Sequence, residues 1–494
     1  MSGGLLQLAS YGKDNLFLTD EPQITYFKMV YKRHTNFSIE AIPQYFNTKP
    51  NFGSRVTATI SKSGDLINHV YLIVKLPALP KLESPGVCKW VKNIGFALIK
   101  SVELEIGGKL IDKQYGDFMF IWNEITKTSH SNGIDKMIGN VPELTEFSSY
   151  KDSYQLTIPL YFWFCRNTSY SLPLIALDYA EVKIHIDFSN IEDCLILGPS
   201  HSVKLDQSFI NFKPYELIKV NNSNNFIQFI ELINNSDYSN DLYYLKTDHN
   251  FIVPSNVSLT SLKSNYTYNV STDTIESTYY NKNTVFNMIL NSVISLSYLL
   301  VDYIYLDNME RIKFARSDHE YLIDVIQFDN DKNCFNSNNK IKLGYSHPVK
   351  LLIVRAQFDY ITSNSGYWRD KFNFTNFPFY DKFNTHSLIT DMKLLLNGVE
   401  RESVYPEYFY NFIQSYQHFN NIAPNGVFIY SFSLLPQNIM PSGSCNFSKI
   451  DDISLQLSLD QSVSYNKIAK IRIYTLNYNI FRIISGIPGL AFEN

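Results

Sequence analysis

The stretch Val102-Glu-Leu-Glu-Ile-Gly-Gly-Lys-Leu-Ile-Asp112 alternates apolar and charged residues, breaks at a Gly-Gly pair and starts again. Period-two alternation puts one face of a strand in a core and the other toward polar surroundings. Two glycines between two such runs read as a hairpin turn. The pattern returns later in the chain: Ala97–Trp122 aligns without gaps to Ser387–Phe412, and Leu98, Ile99, Leu104, Gly108 and Tyr115 recur as Leu388, Ile389, Leu394, Gly398 and Tyr405. Each copy runs strand, Gly turn (Gly107-Gly108; Asn397-Gly398) and then an aromatic stretch.

The repeat extends outward from this block. Leu72-Ile-Val74 matches Leu352-Ile-Val354, Tyr179–Asp187 resembles Ile450–Ser458, and Tyr303–Ile312 resembles Tyr474–Ile483. The offset is nearly constant through the first three blocks and then falls by about 100 residues, which places an insertion in the first copy before its last strand. Composition shifts in that interval, about 198–290, toward Asn, Ser and Tyr with little periodicity. Other strands read directly: Val182-Lys-Ile-His-Ile186 and Ile453-Ser-Leu-Gln-Leu457 alternate, whereas Val70-Tyr-Leu-Ile-Val74 and Leu351-Leu-Ile-Val354 are continuous apolar runs, expected to be covered on both faces. The best helical signal is Asp307–Ala315, with Asp307 or Asn308 as N-cap. The expected organisation is an all-β chain. It has an N-terminal arm (1–26), a first β domain (27–307) whose insertion (198–290) forms a small β cap, a helical linker (308–318) and a second β domain (319–494).

Composition agrees and excludes several classes of function. Of 494 residues 45% are hydrophobic, 15% aromatic and 18% charged, a balance that favours sheets and rules out a long coiled coil or wholesale disorder. With 43 basic and 47 acidic residues and no long Lys/Arg run, the chain lacks the cationic footprint of a nucleic-acid coat. Five scattered cysteines (Cys88, Cys165, Cys194, Cys334, Cys445) read as reduced thiols rather than a disulfide framework. The opening residues show no signal peptide, and the longest apolar stretch, Met288–Leu306, is interrupted by Asn291, Ser292, Ser295, Ser297 and Asp302, so it reads as a buried strand rather than a membrane span.

Catalytic signatures fail one by one. Gly107-Gly-Lys109 lacks the rest of a phosphate loop, His319-Glu320 has no second zinc-binding His at helical spacing, and neither CxxC nor GxSxG occurs. Asp451 and Asp452, adjacent on a strand, point to opposite faces and form no dyad. The chain is therefore expected to be no enzyme and to hold no cofactor or metal. Nine Asn-X-Ser/Thr sequons occur. Five of them, Asn221, Asn234, Asn256, Asn265 and Asn269, fall in the insertion and are the candidate attachment points if glycans are present. Two tandem sandwiches without active-site chemistry suggest a structural or binding role, and jelly rolls are the usual architecture for such pairs.

Several segments carry a specific resemblance: Gly3–Gly12, Pro22–Lys28 and Tyr31–Phe37 at the start; Val102–Asp112 and Ser171–Leu177; the junction Val301–Asp307 with Glu310-Arg311 and His319–Ile323; and Pro441–Asp451 with the ending Ser485–Phe492. Together they resemble the major capsid proteins of nucleocytoplasmic large DNA viruses; residues 198–290 have no matched counterpart. The resemblance implies two tandem eight-stranded jelly rolls per chain. It also implies homotrimeric, pseudo-hexagonal capsomers that tile an icosahedral virion shell, assembled in the host cytoplasm. The implied partners are neighbouring capsomers and penton and minor capsid proteins; there is no direct nucleic-acid contact, and an inner membrane lies nearby but is not spanned. The rival from another class is a glycan-binding jelly-roll protein, of fibre or lectin type, for which the Tyr-rich segment 238–280 could supply an aromatic platform.

Overall fold

The computed structural model describes residues 3–492 apart from residue 30, the stretches 83–85, 129–131, 199–200, 360–370 and 376–385, and residue 466. Between 206 and 290 it describes strand segments and residue 289 alone. In the first half, strands β1 (Phe37–Gln44), β2 (Arg55–Ile60), β3 (Leu66–Leu76), β4 (Ile99–Ile106), β5 (Lys109–Tyr115), β6 (Tyr154–Pro159), β7 (Val182–Phe188) and β8 (Leu296–Leu306) form two antiparallel sheets. Their orders are β1-β8-β3-β6 and β2-β7-β4-β5. In the second half, β9 (His319–Phe328), β10 (Asn338–Lys342), β11 (Pro348–Phe358), β12 (Ile389–Leu396), β13 (Val399–Glu400), β14 (Val427–Ser431), β15 (Ile453–Leu459) and β16 (Ala469–Ile484) repeat that order, as β9-β16-β11-β14 and β10-β15-β12-β13. The fold is all-β, a double jelly roll with the same strand order in both halves.

Both central hairpins turn as their residues demand. Gly107 and Gly108 have φ of 60° and 80°, and Asn397 and Gly398 have φ of 50° and 80°. Two consecutive positive φ values define the turn whose twist suits a hairpin. Alternation also translates into burial: β7 runs buried and half-buried residues in strict turn, so Val182, Ile184 and Ile186 enter the core while Lys183 and His185 face outward.

The continuous apolar run in β11 is covered on both faces. Leu351 and Ile353 join the hydrophobic cluster of the first half, while Leu352 and Val354 join that of the second. The β9-β16-β11-β14 sheet is therefore a shared wall between the two cores.

Two helices fix the arrangement. α1 (Gly116–Thr126) follows β5 and is buried almost all round. This is the aromatic stretch of the repeat, and its helical character was hidden because a helix buried on all sides shows no amphipathic period. α2 (Asn308–Arg316) follows β8, and Asp307 caps it, its carboxylate accepting from the Glu310 amide at 2.9 Å. The last block of the repeat is corrected here: Ile312 lies in α2 whereas Ile483 lies in β16. Sheet register gives the true equivalence. Ile73 pairs with Tyr298 and Ile353 with Tyr474, so Tyr298, not Tyr303, is the counterpart of Tyr474.

Between β7 and β8, seven short strands from His201–Leu205 to Ile275–Glu276 make a separate antiparallel sheet. At the N-terminus, Gly3–Ala9 and Lys13–Thr19 are helical. Residues 3–36 bury no described side chain; Leu18 is 87% exposed and Phe27 99%.

Candidate assembly surfaces and the clamp between the jelly rolls

α1 places Asp117 in its first turn, pointing at the shared wall. Arg355 on β11 donates to its carboxylate from Nη2 at 2.6 Å and Nε at 2.9 Å, Arg472 on β16 from Nη1 at 3.1 Å, and the Tyr474 hydroxyl at 2.6 Å. Burial alone would raise the Asp117 carboxyl, but the two guanidiniums and the tyrosine hold it well below the usual carboxylate range. Burial and the neighbouring Asp117 push the Tyr474 phenol far up, so it remains a donor. Arg472 also grips Asp331 at 2.6 and 2.8 Å, closer to the rim. Around this cluster, Phe118 meets Tyr474 edge-on at 5.6 Å and Phe120 stacks on Phe372 at 4.3 Å.

A second buried cluster lies along the same seam. Asp324 on β9 accepts from Arg166 at 2.7 Å and from Lys350 at 2.6 Å, and the Lys350 side chain is wholly buried. Burial draws the Lys350 ammonium below its usual range, though Asp324 opposes the shift. Asp112, fully buried, accepts from Gln114 and from the Ile326 amide; burial pushes its carboxyl upward. Lys371 donates to the Ala97 carbonyl at 2.9 Å and Ser189 Oγ at 3.1 Å, and Asn421 donates to the Lys127 carbonyl. Polar bonds with apolar packing thus hold the halves in one relative orientation. Sequence reading missed both clusters, because Asp117 and Arg355 are 238 residues apart and no local pattern links them.

Among the described residues, the open surfaces include three apolar groups. The arm carries Leu6, Leu8, Leu18, Tyr26, Phe27 and Met29, all more than half exposed. A groove of about 1070 Å³ lies at its root, between Phe37 and Ile39 of β1, Met309 and Lys313 of α2, and Tyr321 of β9. In the second jelly roll, the helical turns Phe409–Ile413 and Gln414–His418 present Phe412 at 45% and Tyr416 at 86% exposure.

Of the candidate glycan positions, Asn234 ends the strand Phe226–Asn234 and Asn269 ends Thr267–Asn269. Asn221, Asn256 and Asn265 lie outside the described residues. Among the described residues no cluster of His, Cys, Asp and Glu could hold a metal, and no helix is long and apolar enough to cross a membrane. None of the five cysteines forms a disulfide; burial pushes Cys88 up to about 11 and Cys165 to about 12, which favours the protonated thiol in both.

Comparison with known proteins gives this architecture its family. Residues 25–232 match the family described as major capsid protein N-terminus, and residues 310–489 match large eukaryotic DNA virus major capsid protein. The first match reaches into the interval that the sequence resemblance had left without a counterpart. The probable capsid protein 4 of Acanthamoeba polyphaga mimivirus is 41% identical over the full length of both chains. The major capsid protein of Pyramimonas orientalis virus is 34% identical, again over the full length of both. Among solved structures, the Faustovirus major capsid protein superposes with a TM-score of 0.66 at 12% identity, covering 97% of this chain and 96% of its own. The PBCV-1 virus capsid gives 0.63 at 24% identity, covering 95% and 100%. The chain belongs to the major capsid proteins of large eukaryotic DNA viruses.

Proposed function

We propose that this chain is the building block of an icosahedral virion shell, three copies forming a pseudo-hexagonal capsomer. The observation that carries the reading is the clamp: two jelly rolls of like strand order are locked in one orientation through Asp117, Arg355 and Arg472. Two similar blocks per chain and three chains per ring make six similar blocks, which suits a three-fold object to a six-neighbour lattice site. The domains divide at α2 into residues 27–307 and 319–494, with 308–318 as linker. The sheet between β7 and β8 forms an outer cap, and any glycans cluster there. The arm 1–26 runs along the inner side of the capsomer, and its exposed apolar residues suit contacts with neighbouring capsomers and with penton and minor capsid proteins. The chain works by shape and assembly rather than catalysis, without touching the genome or spanning the inner membrane, and the shell assembles in the host cytoplasm. Light scattering with electron microscopy of the purified protein tests this: trimers with a hexagonal outline are expected, and monomers or dimers across a wide concentration range would refute it.

A further inference from the structure

Beside the clamp the two halves leave a cavity of about 310 Å³. The charged groups lining it are Lys100, Asp117 and Asp193 from the first half and Arg355, Lys371 and Arg472 from the second. Its donors outnumber its acceptors. The Asp117 carboxylate is already filled: Oδ2 accepts from Arg355 and Arg472, and Oδ1 accepts from the Tyr474 hydroxyl. The Gln357 side-chain oxygen accepts from Arg355 Nη1, so Arg355 uses three of its five N–H groups. Lys371 donates only to neutral acceptors, the Ala97 carbonyl and Ser189 Oγ, which leaves one N–H of its ammonium over. Lys100 is exposed, and its ammonium has no partner among the described residues. Even with Asp331 holding Arg472 from outside the cavity, the four cations exceed the three carboxylates by one charge. The N-terminus of α1 adds to this: Tyr115 gives it no side-chain cap, and Gly116 and Asp117 open onto the same space.

We propose that this cavity binds a small oxyanion of the phosphate class, held between Lys100 of the first half and Lys371 of the second, with the clamp arginines behind it. The chemistry of the lining selects that class. A phosphate dianion offers several acceptor oxygens around one compact centre, and Lys and Arg bind it through charge-assisted hydrogen bonds. Water could fill the same space, but it brings no charge to balance the cations. Part of the wall is aromatic, from Phe96 and Phe372, and a partly apolar surround strengthens the attraction over its value in open water. Because the two lysines belong to different jelly rolls, the bound anion ties the halves together beside the clamp. Binding to the folded chain alone raises its stability with ligand concentration. The seam therefore tightens where phosphate is plentiful, whatever the number of copies that assemble.

The test uses the full-length chain in phosphate-free buffer. Isothermal titration with inorganic phosphate, and separately with adenosine monophosphate, reads stoichiometry and affinity. Scanning calorimetry reads the melting temperature at rising phosphate against sodium chloride of equal ionic strength. One phosphate per chain is expected, with a rise in melting temperature beyond the chloride control. Lys371→Met should weaken binding about tenfold or more, the loss of one charge-assisted contact. Lys100→Met should weaken it by a smaller factor, about threefold, because its ammonium is exposed to solvent and salt. Lysine-dependent binding of phosphate alone supports a site for the free ion, and lysine-dependent binding of both ligands supports a site for phosphate esters as well. No saturable binding of either ligand, a melting rise that chloride reproduces, or undiminished affinity in both lysine variants overturns the proposal. Should Lys371→Met fail to fold, Lys100→Met decides: undiminished affinity there overturns it.

Discussion

Replacing Asp117 by Asn keeps the shape of the clamp and removes its charge. Arg472 retains Asp331 at 2.6 and 2.8 Å, so it is not stranded. Arg355 keeps Gln357 at 3.0 Å and the Phe374 ring at 5.1 Å, neither of them charged, and its side chain is 6% exposed. Breaking a buried pair from one side costs about 3–5 kcal/mol, and one partly satisfied cation argues for the low end, about 3 kcal/mol. With an unfolding entropy of about 2.1 cal/mol/K per residue, that is a drop of about 3 °C if the chain melts as one unit, and roughly 8 °C if the second jelly roll melts alone. Scanning calorimetry at one scan rate reads the shift and distinguishes the two. Acid should erase the difference. The folded Asp117 carboxyl lies below its unfolded value, so its contribution is present above about pH 4 and is lost as pH falls from there toward the depressed folded value. Wild type should thus lose stability below about pH 4, and the gap to Asp117→Asn should narrow. A shift under about 1 °C at neutral pH, or a larger drop for rim-lying Asp331→Asn, would refute the clamp as the lock between the halves.

Four further outcomes are expected. Gly426→Ala should abolish soluble folded protein in expression trials, since φ is +84° and a Cβ would sit 2.0 Å from the Phe374 carbonyl oxygen. Gly398→Ala, with φ of +80° but nothing within 4 Å, should lower stability by only about 1 kcal/mol in denaturant titration. Deleting residues 2–26 should leave the melting temperature of the chain unchanged, since the arm buries no described side chain, while weakening association between capsomers in sedimentation assays. Replacing residues 220–285 by a short Gly/Ser linker should spare the fold and the trimer and lower the outer profile in electron microscopy, because long surface loops add little closure entropy; aggregation would show that the segment belongs to the core.

Much of the fold was legible because alternation is local. The runs at Val102, Val182 and Ile453 each became a strand with the expected face buried, and both Gly turns became hairpin ends. What escaped was whatever depends on the third dimension. α1 was read as an aromatic stretch since its surroundings, not its sequence period, make it a helix. The final block of the repeat slipped because β8 yields to α2 at Asp307, whereas β16 runs on to Ile484. The clamp was invisible because charged residues far apart in sequence announce no partner.

The contact between the two jelly rolls buries charges, and it can do so because both partners belong to one chain. Within the chain, Asp117 meets Arg355 and Arg472 as part of one folding event, held at high effective concentration, so charges can be buried already paired. At the equivalent positions of the first jelly roll stand exposed Lys75 and Leu296 and half-buried Tyr298, while the Asp117 equivalent, Glu407, accepts from the Ser387 amide. A surface that must wait in water for another copy cannot carry buried unpaired charges, because each would have to be desolvated at the moment of assembly. Tyrosine suits that wait: its ring packs when covered and its hydroxyl stays solvated until then. Tyr71 and Tyr298 are half-buried and Tyr408 and Tyr416 exposed, so these rings keep their hydroxyls in reach of water while offering apolar faces.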